Sequence, residues 1–268
     1  MLSRVQCLEQ VLIVGKLEER KLMMSSKALQ ELERLEAESI NKNPGVWMAK
    51  NAHLKIASLN CAGLKAHFND IKTDNILLKA DIILLQETSL EIEGLDKFEI
   101  ESHTIQVHVR QGNGKGISVY MKKPFKEKIV QTGKGYQVIK ITAEYLDIFN
   151  IYRSSNGSKE ELCETLSHLI EACKPSIVCG DLNICGKMEK NNKVSRYFQD
   201  HGFDQLVTEA THLRGRQIDH CFFRGCDKME ILSVDRVCPY YSDHDALLVC
   251  MEPKITKSRL RKRKRHQE

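Results

Sequence analysis

Ser176 to Asn183 reads S-I-V-C-G-D-L-N, and the organisation of the chain is worked out from it. The apolar run Ile177 to Cys179 is too short for a helix and reads as a buried strand. Gly180 is where that strand is expected to end and the backbone to bend. A carboxylate, a spacer and an amide follow: Asp181, Leu182 and Asn183. Residues two apart on a strand share a side. Asp181 and Asn183 would therefore project together from a carboxyl end. A base beside a neutral hydrogen-bond donor suits attack of water on a phosphate, because the acid takes a proton while the amide steadies charge on oxygen. An Asx turn after a strand accounts for the same triplet, so the rest of the chain has to decide between them.

The 268 residues, 41% hydrophobic and 29% charged, suit one large globular domain with appendages and ample core. The net charge of +5 is unevenly spread. From Lys254 onward eight Lys and Arg face one acid, Glu268, so this tail carries +7 and the remainder −2. The ten cysteines are scattered without a CxxC pair, which points to reduced thiols rather than a disulfide framework or a zinc site. No secretory signal and no run of ~18 apolar residues is apparent, so no membrane role is expected.

Outward from the opening stretch, the chain alternates strands with a few helices. Leu54 to Asn60, Asp81 to Gln86, Phe98 to Arg110, Gly116 to Lys122, Tyr136 to Glu144 and Asp147 to Tyr152 read as strands, as do Gln217 to Phe223, Met229 to Asp235 and Asp245 to Met251. Asn69 to Lys79, Ser158 to Cys173 and Val194 to His201 read as helices, the second with a capping-box start, Ser158 and Glu161. Gln111 to Gly116 is a glycine-rich hairpin between two strands rather than a nucleotide cradle, because no helix follows it. Helices interrupting a hairpin-rich chain predict an α/β fold of two packed mixed sheets with helices outside. Ahead of the body, Ser25-Ser26 caps an expected amphipathic helix, Lys27 to Ile40, which Pro44-Gly45 breaks.

Polar residues close the apolar strands. Asn60, Glu87, Tyr152, Asp181 and Asn183 each follow or end one. Asp219 lies in a run destined for the interior, and a buried carboxylate needs a partner. His244 supplies a natural one, since a carboxylate beside an imidazole fixes its tautomer and favours its charged form. Glu87 is a hard oxygen ligand of the kind Mg²⁺ uses. The inventory holds no nucleophilic Ser or Cys beside a base, and it suits metal-assisted hydrolysis of a phosphate ester by water.

In order and approximate spacing, S-L-N-C-A-G-L, L-L-Q-E-T, N-I-Y-R-S, C-G-D-L-N, Q-I-D-H and Y-S-D-H-D resemble the endonuclease/exonuclease/phosphatase superfamily. The likeness runs from about Leu54 to Met251. It implies a four-layer α/β sandwich and a Mg²⁺ cofactor, with Mn²⁺ as the alternative. It implies that Glu87 binds the metal with Asn60 beside it, and that Asp243 is a second, sometimes metal-side, acid. It further implies that Tyr152 contacts the scissile phosphate, Asp181 deprotonates the attacking water, Asn183 stabilises the pentavalent phosphorus, and Asp219 orients His244 on a phosphate oxygen. The chain departs from some repair nucleases in having Ala62 where they carry an Asp, and from some members in having Ser155 where they carry an Asn. Thr211-His212 fits the family's substrate-side loop or an ordinary surface loop.

Leu2 to Leu17, L-S-R-V-Q-C-L-E-Q-V-L-I-V-G-K-L, is similar to the end of the replication-fork helicases carried by Helitron transposons, with Arg4 at the position of their nucleotide-contacting arginine. The chain has no GxxxxGK[ST] loop, so this piece would be an inactive remnant. The expected layout is a helicase-tail remnant over 1–45, the phosphodiesterase domain over 53–252, and a disordered basic tail over 253–268. That tail reads as a nuclear address or a DNA tether. The expected function is metal-dependent DNA cleavage by a nuclear, or failing that cytoplasmic, enzyme of mobile-element origin, with nucleic acid as partner and no sign of oligomerisation. A family member acting on RNA or other phosphoesters, and an inactive nucleic-acid-binding remnant, are the rival readings.

Overall fold

Strand β1 (Leu54–Asn60) sends its side chains alternately into two apolar layers, Ile56 into one and Ala57 and Leu59 into the other. The computed structural model, which describes residues 54–91, 93–110, 114–125, 127–143, 146–185, 192–225 and 229–253, repeats this division in strand after strand. In chain order the others are β2 (Ile82–Gln86), β3 (Thr104–Val109), β4 (Ile117–Met121), β5 (Glu127–Gly133), β6 (Tyr136–Thr142), β7 (Asp147–Arg153), β8 (Ser176–Asp181), β9 (Asp204–Gln205), β10 (Asp219–Arg224), β11 (Met229–Val237) and β12 (Ala246–Pro253).

The strands form two six-stranded sheets, ordered β11-β12-β1-β2-β4-β3 and β5-β6-β7-β8-β10-β9. The β1–β2 and β7–β8 pairs are parallel and the other pairs antiparallel, so both sheets are mixed, as expected. Each parallel pair is joined by a helical crossover, as parallel neighbours require. Helix α1 (Leu64–Ile71) follows β1 and helix α2 (Lys159–Leu169) follows β7; helix α3 (Lys193–Asp200) follows β8.

Three apolar clusters fill the three gaps of a four-layer sandwich. Between the sheets lie Ile56, Leu84, Val119 and Leu247 from one and Ile139, Ile148, Ile177 and Cys221 from the other. Behind the first sheet, Leu64 and Ile71 of α1 meet Ala57, Leu59 and Ile83. Behind the second, Leu162 and Leu166 of α2 and Val194 and Phe198 of α3 meet Val138, Phe149 and Val178.

Local boundaries differ from expectation for physical reasons. The helix expected over Asn69 to Lys79 begins and ends earlier, as α1, and a short 3₁₀ turn covers Leu77–Lys79. Asp74 separates the two, because its Oδ1 accepts from the N–H groups of Ile76 (2.8 Å) and Leu77 (3.1 Å) and starts a new turn. Helix α2 stops at Leu169 rather than Cys173, where Lys140 Nζ donates to the Leu169 carbonyl at 2.9 Å. Its N-cap, Ser158, accepts from Glu161 N–H at 3.2 Å; the reciprocal half of the box is absent, because Glu161 Oε2 takes Lys134 N–H instead. The strand expected from Phe98 begins only at Thr104, after a 3₁₀ turn over Leu95–Phe98. Strand β5 was not anticipated: it is an edge strand bearing Glu127, Lys128, Gln131 and Thr132, mostly exposed and without apolar alternation.

The eight described cysteines are free thiols, with Cys179 and Cys221 facing each other across β8 and β10 at 3.6 Å between sulfurs. Among the described residues no helix is long and apolar enough to cross a membrane. The helicase-like segment with its expected helix, and the basic tail from Lys254, lie outside the described residues.

Candidate active site

The alternation that builds the inner core also assembles the site. On β7, Ile148 and Tyr152 face the other sheet; on β8, Ile177, Cys179 and then Asp181 do; on β10, Asp219 shares that side with Cys221 and Phe223. The registers align the ends: Tyr152 pairs with Asp181, and Asp181 with Asp219. On the first sheet Asn60 pairs with Gln86, which places Glu87 just beyond it. Polar residues at one end of two facing sheets thus replace the apolar core with a polar mouth.

Asp181 is the hub. It is 1% exposed, and Oδ2 accepts from Asn60 Nδ2 at 2.9 Å and from Asn183 Nδ2 at 3.2 Å, while Oδ1 accepts Asn183 N–H at 2.8 Å. The last contact is an Asx turn, as the turn reading of the opening triplet expects, and it leaves the carboxylate and the amide side by side. Strand β8 does not end at Gly180 as expected, but runs on to Asp181. Gly180 has φ +142°, and a Cβ there would lie 1.9 Å from the Ile151 carbonyl oxygen of the neighbouring strand. Asn183 lies beyond the strand at φ +50° and meets Asp181 by that left-handed turn, not by strand alternation.

Burial, then the charge of Asp219, push the Asp181 carboxyl up to about 8, against the pull of charged His244, Asn183 N–H and the Asn60 amide. His244 Nδ1 lies 2.9 Å from Asp219 Oδ2 and 3.1 Å from Oδ1. Burial works against charge on His244, but the hydrogen bond and charge of Asp219, with the charges of Asp181 and Asp243, outweigh it and hold the imidazole at about 9. His244 is therefore protonated, and its Nε2–H points away from Asp219.

Glu87 is held by Tyr152, whose hydroxyl donates to Oε1 at 3.0 Å, and by Lys115 Nζ, 3.2 Å from Oε2. Burial, then Glu87, raise the Tyr152 phenol far above its usual range, so it stays a neutral donor. Glu87 adopts φ +53° and Ala62 φ +48°, backbone conformations uncommon outside glycine. With Asn183 this puts three of the four positive-φ non-glycine residues among those described at the mouth of the site, where strain is commonly concentrated.

The structure thus gathers Asn60, Glu87, Tyr152, Asp181, Asn183, Asp219 and His244. Asp243, half exposed on the rim, faces two imidazoles, with Oδ2 3.2 Å from His212 Nε2 and Oδ1 3.9 Å from His244 Nε2. His212, Asp243 and His244 have metal-ligand proximity, but His212 Nδ1 accepts Arg214 N–H at 3.0 Å. Burial and charged His244 lower the His212 pKa, so its ring is neutral and its proton sits on Nε2, towards Asp243. That tautomer offers Asp243 a hydrogen bond rather than offering a metal a lone pair. Glu87 is the better fit to a divalent cation: it is a hard oxygen donor whose charge is met by a half-exposed ammonium that a cation can replace. The Asn60 amide oxygen is close at hand, at present accepting Ala62 N–H at 3.0 Å.

Several supporting residues were missed or left open. Thr211 is not on a surface loop: it is fully buried, and its hydroxyl donates to Asp219 Oδ2 at 2.7 Å. Ser242 ties the last motif to the first by donating to the Asn60 carbonyl at 2.7 Å. Arg153, 1% exposed, donates through Nε to the Leu182 carbonyl (2.8 Å) and through Nη2 to that of Asn183 (3.2 Å), clamping the turn that carries the amide. A charge closing the apolar run of β7 was the available signal for Arg153; the hydroxyls gave none.

Residues 57–244, more than half of the chain, match the model of the Endonuclease/Exonuclease/phosphatase family. The chain belongs to that family. Its fold is similar to an AP endonuclease from Archaeoglobus fulgidus at 15% identity and TM-score 0.60, covering 74% of this chain and 99% of that one. A 3′-5′ exonuclease from Neisseria meningitidis gives 16% identity and TM-score 0.58, covering 75% and 100%. The endonuclease domain of TRAS1, a telomere-specific non-LTR retrotransposon, gives 13% and 0.53, covering 73% and 96%. No curated protein matches the sequence. As a member of this family the chain carries a fold of hydrolases acting on phosphoester bonds, a family that generally uses divalent metals.

Proposed function

We propose that this protein is a divalent-metal-dependent phosphodiesterase that cuts DNA by water attack. The observation carrying this reading is the juxtaposition of Asp181, a buried carboxyl raised to about 8, with a charged His244 held at about 9 by Asp219. A carboxyl whose affinity for a proton is raised, beside an imidazolium that holds its own proton for donation, suits hydrolysis by water.

In this reading Asp181 takes a proton from water as the new P–O bond forms and the bond to the leaving oxygen breaks. Asn183 Nδ2 and His244 Nε2–H donate to the phosphate oxygens that gain charge, and Tyr152 donates as a neutral phenol. Glu87, with the Asn60 amide beside it, would hold Mg²⁺ or Mn²⁺, whose charge would polarise the phosphate and ease departure of the leaving oxygen.

DNA as substrate is supported by the names of the similar proteins, an AP endonuclease and a retrotransposon endonuclease domain among them. Mobile-element origin is supported by the latter and by the helicase-like Leu2–Leu17. The basic tail supports a nuclear address and a non-specific DNA tether.

The test is nicking of supercoiled plasmid by purified protein. Nicking in Mg²⁺ that EDTA abolishes is the expected result. Binding without nicking would leave the protein a nucleic-acid binder, and activity confined to RNA or small phosphoesters would move the substrate elsewhere in the family.

A further inference from the structure

Beside the candidate site lies a pocket of about 280 Å³, lined by Lys115, Gly133, Gly135, Gln137, Tyr152 and Ser154 among others. Two of these residues also hold Glu87, so the pocket opens directly off the site. Gln137 pairs with Tyr152 across β6 and β7, and directly opposed residues on neighbouring strands present their side chains to the same face. Gln137 is only 4% exposed, yet among the described residues nothing donates to its Oε1. A buried acceptor without a donor carries a desolvation cost and calls for an occupant.

Two glycines in the lining leave no room for a side chain. At Gly133 a Cβ would come within 2.2 Å of the Tyr136 ring, and at Gly135 within 2.6 Å of Ser154 Oγ. Glycine at both positions therefore brings backbone and ring surface close together while the space itself stays open. The volume sits near the lower end of ligand pockets, ~300 Å³, which suits one nucleoside and not a base pair. A pocket lined by two tyrosines, with an ammonium and one orphan acceptor, matches a nucleobase: a π face for the tyrosine rings, a ring or exocyclic N–H for the acceptor, and the adjoining phosphate for Lys115.

Resting on the phosphodiesterase reading above, we infer that this pocket receives one unstacked base flanking the scissile phosphate, with Gln137 Oε1 accepting from its edge. The substrate class is then single-stranded or locally unpaired DNA.

The test uses the full chain and a labelled single-stranded DNA series in which one abasic residue is moved along the strand, with cuts mapped by length. The expected result is that kcat/KM at one flanking phosphate falls about tenfold or more when its neighbour lacks a base. Gln137→Met should erase that difference, cutting both strands with the lower efficiency. Indifference to the missing base, or faster cutting beside it, would overturn the inference while leaving the hydrolase reading standing. A single ribonucleotide at the same position that restores cutting of the abasic strand would also overturn it, because the donor would then be a sugar hydroxyl. Failure to cut any strand in Mg²⁺ would overturn both.

Discussion

The ionised form of Asp181 is the one that its own fold disfavours. Its folded-state pKa, about 8, lies above the ordinary 3.8, so its contribution to stability is fully present only below about 4 and is lost as pH rises through 8. Asp181→Asn removes that loss. In EDTA at pH 8 to 9 the variant is expected to melt no lower than the parent, and higher if the contacts to Asn60 and Asn183 survive. A drop of more than a few degrees in calorimetry would show that the carboxylate stabilises the fold. His244 has the same sign, because its pKa too is raised in the fold. Raised from 6.5 to about 9, it contributes stability and a proton that persist below pH 6.5 and fade as pH climbs through 9. Asp219 is the principal cause of the rise, so Asp219→Asn should move the alkaline limb of the kcat/KM profile down by a unit or more. A limb that stays in place would assign it to another group.

At the scale of elements, the end of β7, the Asx turn after β8 and the start of α2 are one construction. Arg153 bonds the carbonyls of Leu182, Asn183 and, at 2.7 Å, Gly157. Arg153→Met leaves those buried acceptors without their donor and should lower unfolding stability by about 3 kcal/mol, read from the denaturant midpoint. Gly180→Ala forces a methyl against the Ile151 carbonyl and should exceed ~4 kcal/mol, leaving little folded protein. A mild effect at either position would mean that the β7–β8 pairing is looser than described. The strands around the motifs could be read from sequence because they are buried on both faces and punctuated by polar ends: β1 matches its expected span, and β2, β7 and β8 fall within a residue or two of theirs. What could not be read was decided by partners far along the chain. Strand β5 exists because β6 offers it an edge, α2 ends where Lys140 reaches its carbonyl, and Thr211 is buried because Asp219 needs a donor. The candidate site was legible as residue types, and the Asp219–His244 pair as a contact, but the bonds around Asp181 and Glu87 were not. Asp243 matched the motif, and its contacts with His212 and His244 on the rim could not be read from it.

At the scale of the whole molecule, the two sheets are locked in register by a polar bridge under the site. Gln86 Nε2 of one sheet donates to Asn150 Oδ1 of the other at 2.6 Å, and Asn150 Nδ2 donates back to the Ser118 carbonyl at 3.0 Å. Such a network penalises sliding of one sheet on the other, which would scatter the site residues. Asn150→Ala should therefore cost about 1–3 kcal/mol and reduce turnover as well; unchanged turnover would mean that the bridge only stabilises the fold. On the proposal that the basic tail tethers the protein to DNA, truncation after Pro253 should shallow the salt dependence of DNA binding while leaving cleavage of bound DNA intact. The central claim is that the residues gathered between the sheets hydrolyse a phosphodiester. Single-turnover cleavage of labelled DNA by the parent, Asp181→Asn and His244→Asn at saturating Mg²⁺ tests it most directly. The account predicts that each variant slows cleavage at least ~10²-fold while binding DNA as the parent does. Cleavage within tenfold of the parent by either variant would contradict it.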